Sequence, residues 1–262
     1  MALPSILLLL AFVGGVFAAA AFTLVLAIGP EQIDNNVQLA GILGAGSGAI
    51  AAAAAWLHWR TFRVPITVAA GAAAVAAIAV GLLIAALGDS ADNARDLILG
   101  FVLLLGIGTF LFAMSWDGSD RARITRRSDV AFWLHLLAAP MIVHPVFTLL
   151  GLNDGNATIG EGLIVVLLYV VIGITALAID RRALLVSALA YVLWALSDLL
   201  ERFGAVELNI ALTALVIGSS LLLLSAFWSQ ARAAVVRPLP EGIRERLPIV
   251  NRSAATAPQP AA

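Results

Sequence analysis

The chain has 262 residues, 62% hydrophobic and 12% charged, with a mean hydropathy of +1.03 and a formal net charge of −1. A water-soluble domain is typically about half apolar and about a quarter charged, so an ordinary soluble globule is excluded, and lipid is the solvent that accommodates helices apolar on every side. Cysteine is absent, which excludes disulfides, thiolate metal sites and cysteine nucleophiles, and the fifteen basic residues, all arginine, lie in short clusters and not along one polar face, which leaves no footprint for nucleic acid.

A hydrocarbon core about 30 Å thick requires about 20 apolar residues of helix. Runs of that length recur eight times, at 4–28, 37–59, 64–87, 97–116, 130–150, 159–179, 183–200 and 207–228. The first competes with a signal peptide, because Val16 to Ala20 offers small residues after an apolar stretch. It lacks a basic leading region, however, and stays hydrophobic to Ile28, so a span is expected. Hydrophobicity that begins almost at Met1 leaves an upstream portion open. The runs are continuous and rich in Ala, Leu and Gly, whereas barrel strands alternate in ~10-residue segments, which leaves helices as the way to satisfy the backbone.

Arginine placement gives the expected direction. Arg60 and Arg63, then Arg121, Arg123, Arg126 and Arg127, then Arg181 and Arg182, and finally Arg232, Arg237, Arg244, Arg246 and Arg252 fall on one side of an eight-helix path. The opposite loops hold Arg95 and Arg202 with many carboxylates, among them Asp89, Asp96, Glu161 and Glu207. Basic residues beside short loops stay in the cytoplasm, so both termini are predicted to be cytoplasmic. The expected architecture is an all-α polytopic transmembrane bundle over 1–228 with a cytoplasmic tail, partly disordered, over 229–262. Val235 to Val250 alternates prolines and arginines with apolar residues, which reads as a solvated tail, with an anionic lipid surface as the alternative resting place.

Within the second run Ala40, Gly44, Gly48 and Ala52 repeat every four positions and predict a close-packing stripe. The GAGSG segment there lies inside a span and follows no strand, which argues against a phosphate loop. The fifth run reads AFWLHLLAAPMIVHP from Ala131 to Pro145 and places His135, Pro140, His144 and Pro145 at membrane depth, where polar groups are costly and often functional. The two histidines are nine residues apart, so they project about 180° apart on a straight helix. Each proline frees a carbonyl one turn earlier, at Leu136 and Met141, and a bend there can swing the rings toward a common cavity. The plainer reading has each histidine bonded to a neighbouring helix. His58, between Trp56 and Trp59, reads as an interfacial anchor.

On the seventh run Tyr191, Trp194, Asp198 and Glu201 follow the spacing of one helical stripe. Asp198 and His144 on one side of the membrane make a candidate proton-coupled or cation-binding pair. Against that, Asp198 lies near the helix end and has Arg202 as an i+4 partner. The fourth loop, DGSDRARITRRSD, can bind lipid head groups or a partner, although retention on the inner side suffices to explain its arginines. Asp180-Arg181-Arg182 is a tight hairpin. There is no nucleophile with an adjacent base, no HExxH and no Walker loop.

Through RRSDVAFWLHLLAAPMIVHPVF (Arg126 to Phe147) and AIDRRALLVSALAYVL (Ala178 to Leu193), the chain resembles a family of uncharacterised bacterial multi-pass inner-membrane proteins that carry an FWLHLLAAP-type segment. That resemblance extends over most of the chain. It implies an inner-membrane location, eight or more helices and, in its members, residues before the point where this sequence starts; no activity is attached to it. The expected role is a non-enzymatic membrane component with no cofactor, whose partners are the bilayer and a membrane protein or a second copy of the chain. The alternatives are a small-solute or ion transporter working through the bent fifth helix, and a haem or metal redox protein using His135 and His144. Inverted repeats, common in transporters, are not convincing between 1–128 and 129–228.

Overall fold

In the computed structural model of the chain, residues 2–34, 36–152, 159–182, 185, 215, 218–220, 222–245 and 247–249 are described. The described residues are helical and contain no strand. Helices α1 (Ala2–Ile28), α2 (Pro30–Asp34), α3 (Val37–Phe62), α4 (Ile66–Leu87), α5 (Arg95–Ser119), α6 (Arg126–Leu149) and α7 (Ile159–Ile179) are followed by α8 (Trp228–Val236) and α9 (Glu241–Arg244). Helices therefore stand at the first six predicted runs. The run at 183–200 lies outside the described residues, Leu185 apart, and that at 207–228 is described only toward its end. Among the described residues five helices, at Ile6–Ile28, Val37–Phe62, Ile66–Ala91, Arg95–Ser119 and Arg126–Leu149, are long and apolar enough to cross a membrane. The apolar part of α7, Leu163–Ile179, is shorter.

Local chemistry sets the boundaries. Asn36 caps α3, its side chain accepting from the Leu39 amide at 2.9 Å. The other end closes at Arg63, whose backbone is left-handed (φ 53°) and whose amide donates to the Trp59 carbonyl. Thr125 caps α6, accepting from the Arg127 amide. Helix α6 continues through Pro140 and Pro145 without interruption.

Two compact units emerge, Met1–Ala113 with Asp129–Pro145, and Met114–Ser128 with Val146–Ala262. In the first, α3 and α4 touch backbone to backbone. A Cβ on Gly41 would lie 2.5 Å from the Ala85 nitrogen, and one on Gly81 would lie 2.7 Å from the Ala45 nitrogen. Gly48 meets Ala74 and Ile78 in the same way, while Gly44 has nothing within 4 Å. The close-packing stripe is thus Gly41, Ala45, Gly48, Ala51 and Ala55, all buried, and not the every-fourth-residue set of Ala40, Gly44, Gly48 and Ala52. Four residues turn 400° on a helix, so a strict four-residue repeat drifts by about 40° per step, while alternation of three and four stays on one line. Leu9 and Val13 of α1 complete this core with Ala51, Ala55, Ile66 and Ala74. Ser47 is fully buried there and donates to the Leu43 carbonyl at 2.8 Å, so its hydroxyl needs no partner from another helix.

Candidate functional site

The two histidines of α6 separate. His135 is fully buried, edge-on to Phe110 with ring centroids 5.2 Å apart, whereas His144 and Pro140 are exposed. The two rings therefore differ in burial, one packed inside the helical unit and the other on its surface. Helix α5 approaches α6 at this turn through Gly106, where a Cβ would stand 2.9 Å from the backbone of Met141, the residue whose carbonyl Pro145 leaves without its usual helical donor. Asp198 and Glu201 lie outside the described residues. Among the described residues no group of three or more His, Asp or Glu is placed to hold a metal. His58, expected as an interfacial anchor, ties the α3–α4 hairpin, its Nδ1 being 3.2 Å from Oγ1 of the buried Thr67. The arginines beside it lie over indoles, Arg60 on Trp56 at 4.9 Å and Arg63 on Trp59 at 5.7 Å.

The polar centre that the structure does build is in the second unit, from residues read above as markers of orientation. Asp117, near the end of α5, has a side chain with no exposure. Arg181 grips it with both arms, Nη2 donating to Oδ1 at 2.5 Å and Nε to Oδ2 at 3.2 Å, and Nη2 also donates to the Ser128 carbonyl at 2.9 Å. A buried carboxylate is tolerated only when paired and hydrogen-bonded, and the planar arginine fork satisfies both requirements.

Arg181 is placed by the way α7 ends. The Arg181 amide donates to Ala176 O and the Asp180 amide to Leu177 O, a Schellman closure with Asp180 at the left-handed position (φ 57°). Glycine usually occupies that position; aspartate tolerates it better than most residues. Its carboxylate has work to do there, accepting from Arg123 Nη1 at 2.8 Å and from Trp228 Nε1 at 2.8 Å, with Arg232 Nε 3.8 Å away. Arg123, itself left-handed (φ 56°), also donates to the last carbonyls of α7, Ile179 O at 2.9 Å and Asp180 O at 3.2 Å. Those carbonyls have no helical donor, and a cation at a helix C-terminus also meets the favourable end of its dipole.

The same chemistry binds the segment after α8. Trp228, Arg232 and Val236 are buried at i, i+4 and i+8. Arg232 donates to Pro248 O at 2.6 Å and Ile249 O at 3.2 Å, and Arg121 donates to Leu247 O at 3.0 Å and Arg244 O at 3.2 Å. Pro238, Pro240 and Pro248 prevent a continuous helix here, and guanidinium forks take up carbonyls that a helix would have satisfied internally. Val236, Leu247 and Pro248 are therefore buried within the stretch from Val235 to Val250 that the sequence suggests is solvated, while Glu241 to Glu245 are exposed. Arg182 stays exposed but covers the Trp228 ring at 4.7 Å.

Asp120 organises the loop between α5 and α6. Burial pushes its carboxyl up, but hydrogen bonds from the Thr125 hydroxyl and from the Thr125, Ile124 and Ser128 amides outweigh burial and hold it below the ordinary carboxylate value. Sequence reasoning missed this centre. The signal was present in Asp117, Asp120 and Asp180, three acids on the arginine-rich side of the path, each beside a helix end.

No protein-family model matches the chain, and no curated protein or solved structure matches it.

Proposed function

We propose that this chain is a polytopic protein of the bacterial cytoplasmic membrane, crossing it eight times with both termini inside, and acting as a non-enzymatic membrane component. The carrying observation is that its long apolar helices turn large apolar side chains outward, as with Leu8, Leu104 and Leu163 at 71%, 66% and 66% exposure, an arrangement that lipid stabilises and water does not. The sorting of arginines supports the orientation, and the resemblance to bacterial inner-membrane proteins supports the location.

The arginine–aspartate centre fits a component role. Its carboxylates are consumed by guanidinium pairs and an indole donor, an arrangement that fixes backbone and leaves little for proton transfer. In this reading it is an internal clasp, holding the α5–α6 loop, the end of α7 and the segment 228–249 in one arrangement on the cytoplasmic side. A reporter active only outside the cytoplasm, fused after residue 123, stays silent, and the same reporter fused after residue 154 is active. Activity after residue 123 overturns the orientation, and recovery of the full chain in the aqueous fraction without detergent overturns the membrane assignment.

A further inference from the structure

We infer that the end of the α3–α4 hairpin is a phosphate site for an anionic lipid, in which Arg60 and Arg63, held over Trp56 and Trp59, grip the headgroup. The inference rests on the membrane reading above. Arginines in this molecule are used in two ways. Arg121, Arg123, Arg181 and Arg232 direct their forks at internal carbonyls and carboxylates. Arg60 and Arg63 are exposed, and among the described residues their guanidinium groups make no hydrogen bond or ion pair; each lies over an indole face, at 4.9 and 5.7 Å. A cation over a ring keeps its N–H donors for another acceptor, and the pairing fixes the direction of a long side chain. No acid of the hairpin competes for them, since the sequence has no carboxylate between Asp34 and Asp89. Trp56 and Trp59 are neighbours on the surface of α3, so the two cations above them belong to one patch.

Lipid is the occupant because the helix that carries the arginines also sets their depth. Residues 39–57 of α3 contain no charge and a single hydroxyl, that of Ser47, which donates within its own helix. That stretch of nineteen residues rises about 28 Å at 1.5 Å per residue, against about 30 Å for a hydrocarbon core. Trp56 and Leu57, 55% and 58% exposed, therefore stand at the edge of the apolar layer, where indoles are favoured. Arg60 follows Leu57 by three residues, or about 4.5 Å of rise, which brings it into a headgroup layer roughly 5–8 Å deep. The chain turns back at once, with Arg63 closing α3, α4 starting at Ile66 and the His58–Thr67 contact holding the two helices at one level. A guanidinium fork matches phosphate oxygens, and two such cations favour an anionic lipid over a zwitterionic one.

The full chain, purified in detergent, is titrated with phosphatidylglycerol or phosphatidylcholine, and bound lipid is counted by native mass spectrometry. Phosphatidylglycerol is expected to bind about tenfold tighter, and Arg60→Gln with Arg63→Gln to bring the two lipids within about twofold of each other. Trp56→Leu with Trp59→Leu, which keeps both charges, is expected to lower the preference about threefold. Arg126→Gln with Arg127→Gln removes two exposed arginines that lie over no indole among the described residues, and is expected to leave the preference as it was. Equal losses from the two arginine pairs show general attraction to positive charge and overturn the site, as does a preference that survives without Arg60 and Arg63. Release of the bound lipid by excess glycerol phosphate assigns the patch to a soluble anion and overturns the lipid. Flotation of the reconstituted chain with phosphatidylcholine vesicles separates the two readings. A chain that floats without lipid preference loses the site and keeps the membrane assignment, and one that does not float loses the assignment itself.

Discussion

Two regions of this molecule are held together by opposite means. Helices α3 and α4 meet by removal of side chain, since at Gly41 and Gly81 the backbones approach until a methyl group has no room, and at Gly48 it would fit only tightly. The arginine–aspartate centre is held by addition, with long charged side chains reaching across turns to carboxylates and bare carbonyls. Between helices in lipid there is little hydrophobic gain, so contact area and close van der Waals packing decide. At the ends of helices the unsatisfied backbone decides, and arginine supplies the donors. The first kind of contact fails when something is added, the second when something is taken away.

The largest effect is expected at Asp117. Asp117→Ala leaves the Arg181 guanidinium buried without its carboxylate, and such a loss costs about 3–5 kcal/mol. Thermal unfolding of the purified protein in detergent measures it, with cleavage near the exposed Arg237 and Pro238 reporting release of the segment. Asp117→Leu combined with Arg181→Met is expected to recover much of the loss, because removing both charges also removes the desolvation they require. If the single substitution has no effect, the centre is not a clasp.

Next comes the glycine contact. Gly41→Ala drives a methyl group into the Ala85 backbone, an overpacking expected to cost about 1–3 kcal/mol. Gly44→Ala, one turn away and facing open space, is expected to stay within about 0.5 kcal/mol of the parent. Equal effects from the two would show that the stripe does not run where the structure places it.

The smallest effect belongs to Asp120. Its carboxyl is held below the ordinary value, so the charged form favours the folded state: the contribution is present above the unfolded value near 4 and is lost as pH falls through the lower folded value. Asp120→Asn is expected to be less stable by about 1 kcal/mol at pH 7, with the difference shrinking as the pH drops below about 4, where the carboxyl of the unfolded parent takes up its proton before that of the folded one. A difference constant down to pH 2 would contradict this assignment.

The helices were legible because a run of about 20 apolar residues has one solution in lipid, and the structure places helices at the first six runs. The facing of α3 was less so. The pattern Ala40, Gly44, Gly48, Ala52 is conspicuous in sequence, but Ala and Gly are so frequent along this helix that several stripes fit, and only the position of α4 selects Gly41, Ala45 and Gly48. On α6 the spacing said only that His135 and His144 project apart on a straight helix; that His135 is buried and His144 exposed depends on what packs against α6, which the sequence does not state. The arginine–aspartate centre escaped because a topological explanation of arginine is complete by itself. Counting the acids on the arginine-rich side as well as those opposite would have pointed to Asp117 and Asp180.

One consequence of the Asp117–Arg181 pair concerns the order of events during synthesis. Arg181 follows Asp117 by 64 residues, which at 5–20 residues per second is a delay of about 3–13 s. Throughout that interval the carboxylate can have Arg123, whose Nε lies 3.8 Å from Oδ1, but not the two-armed grip of Arg181. Closure then waits on the emergence of α7, and the segment that carries Trp228 and Arg232 can be drawn in only later still.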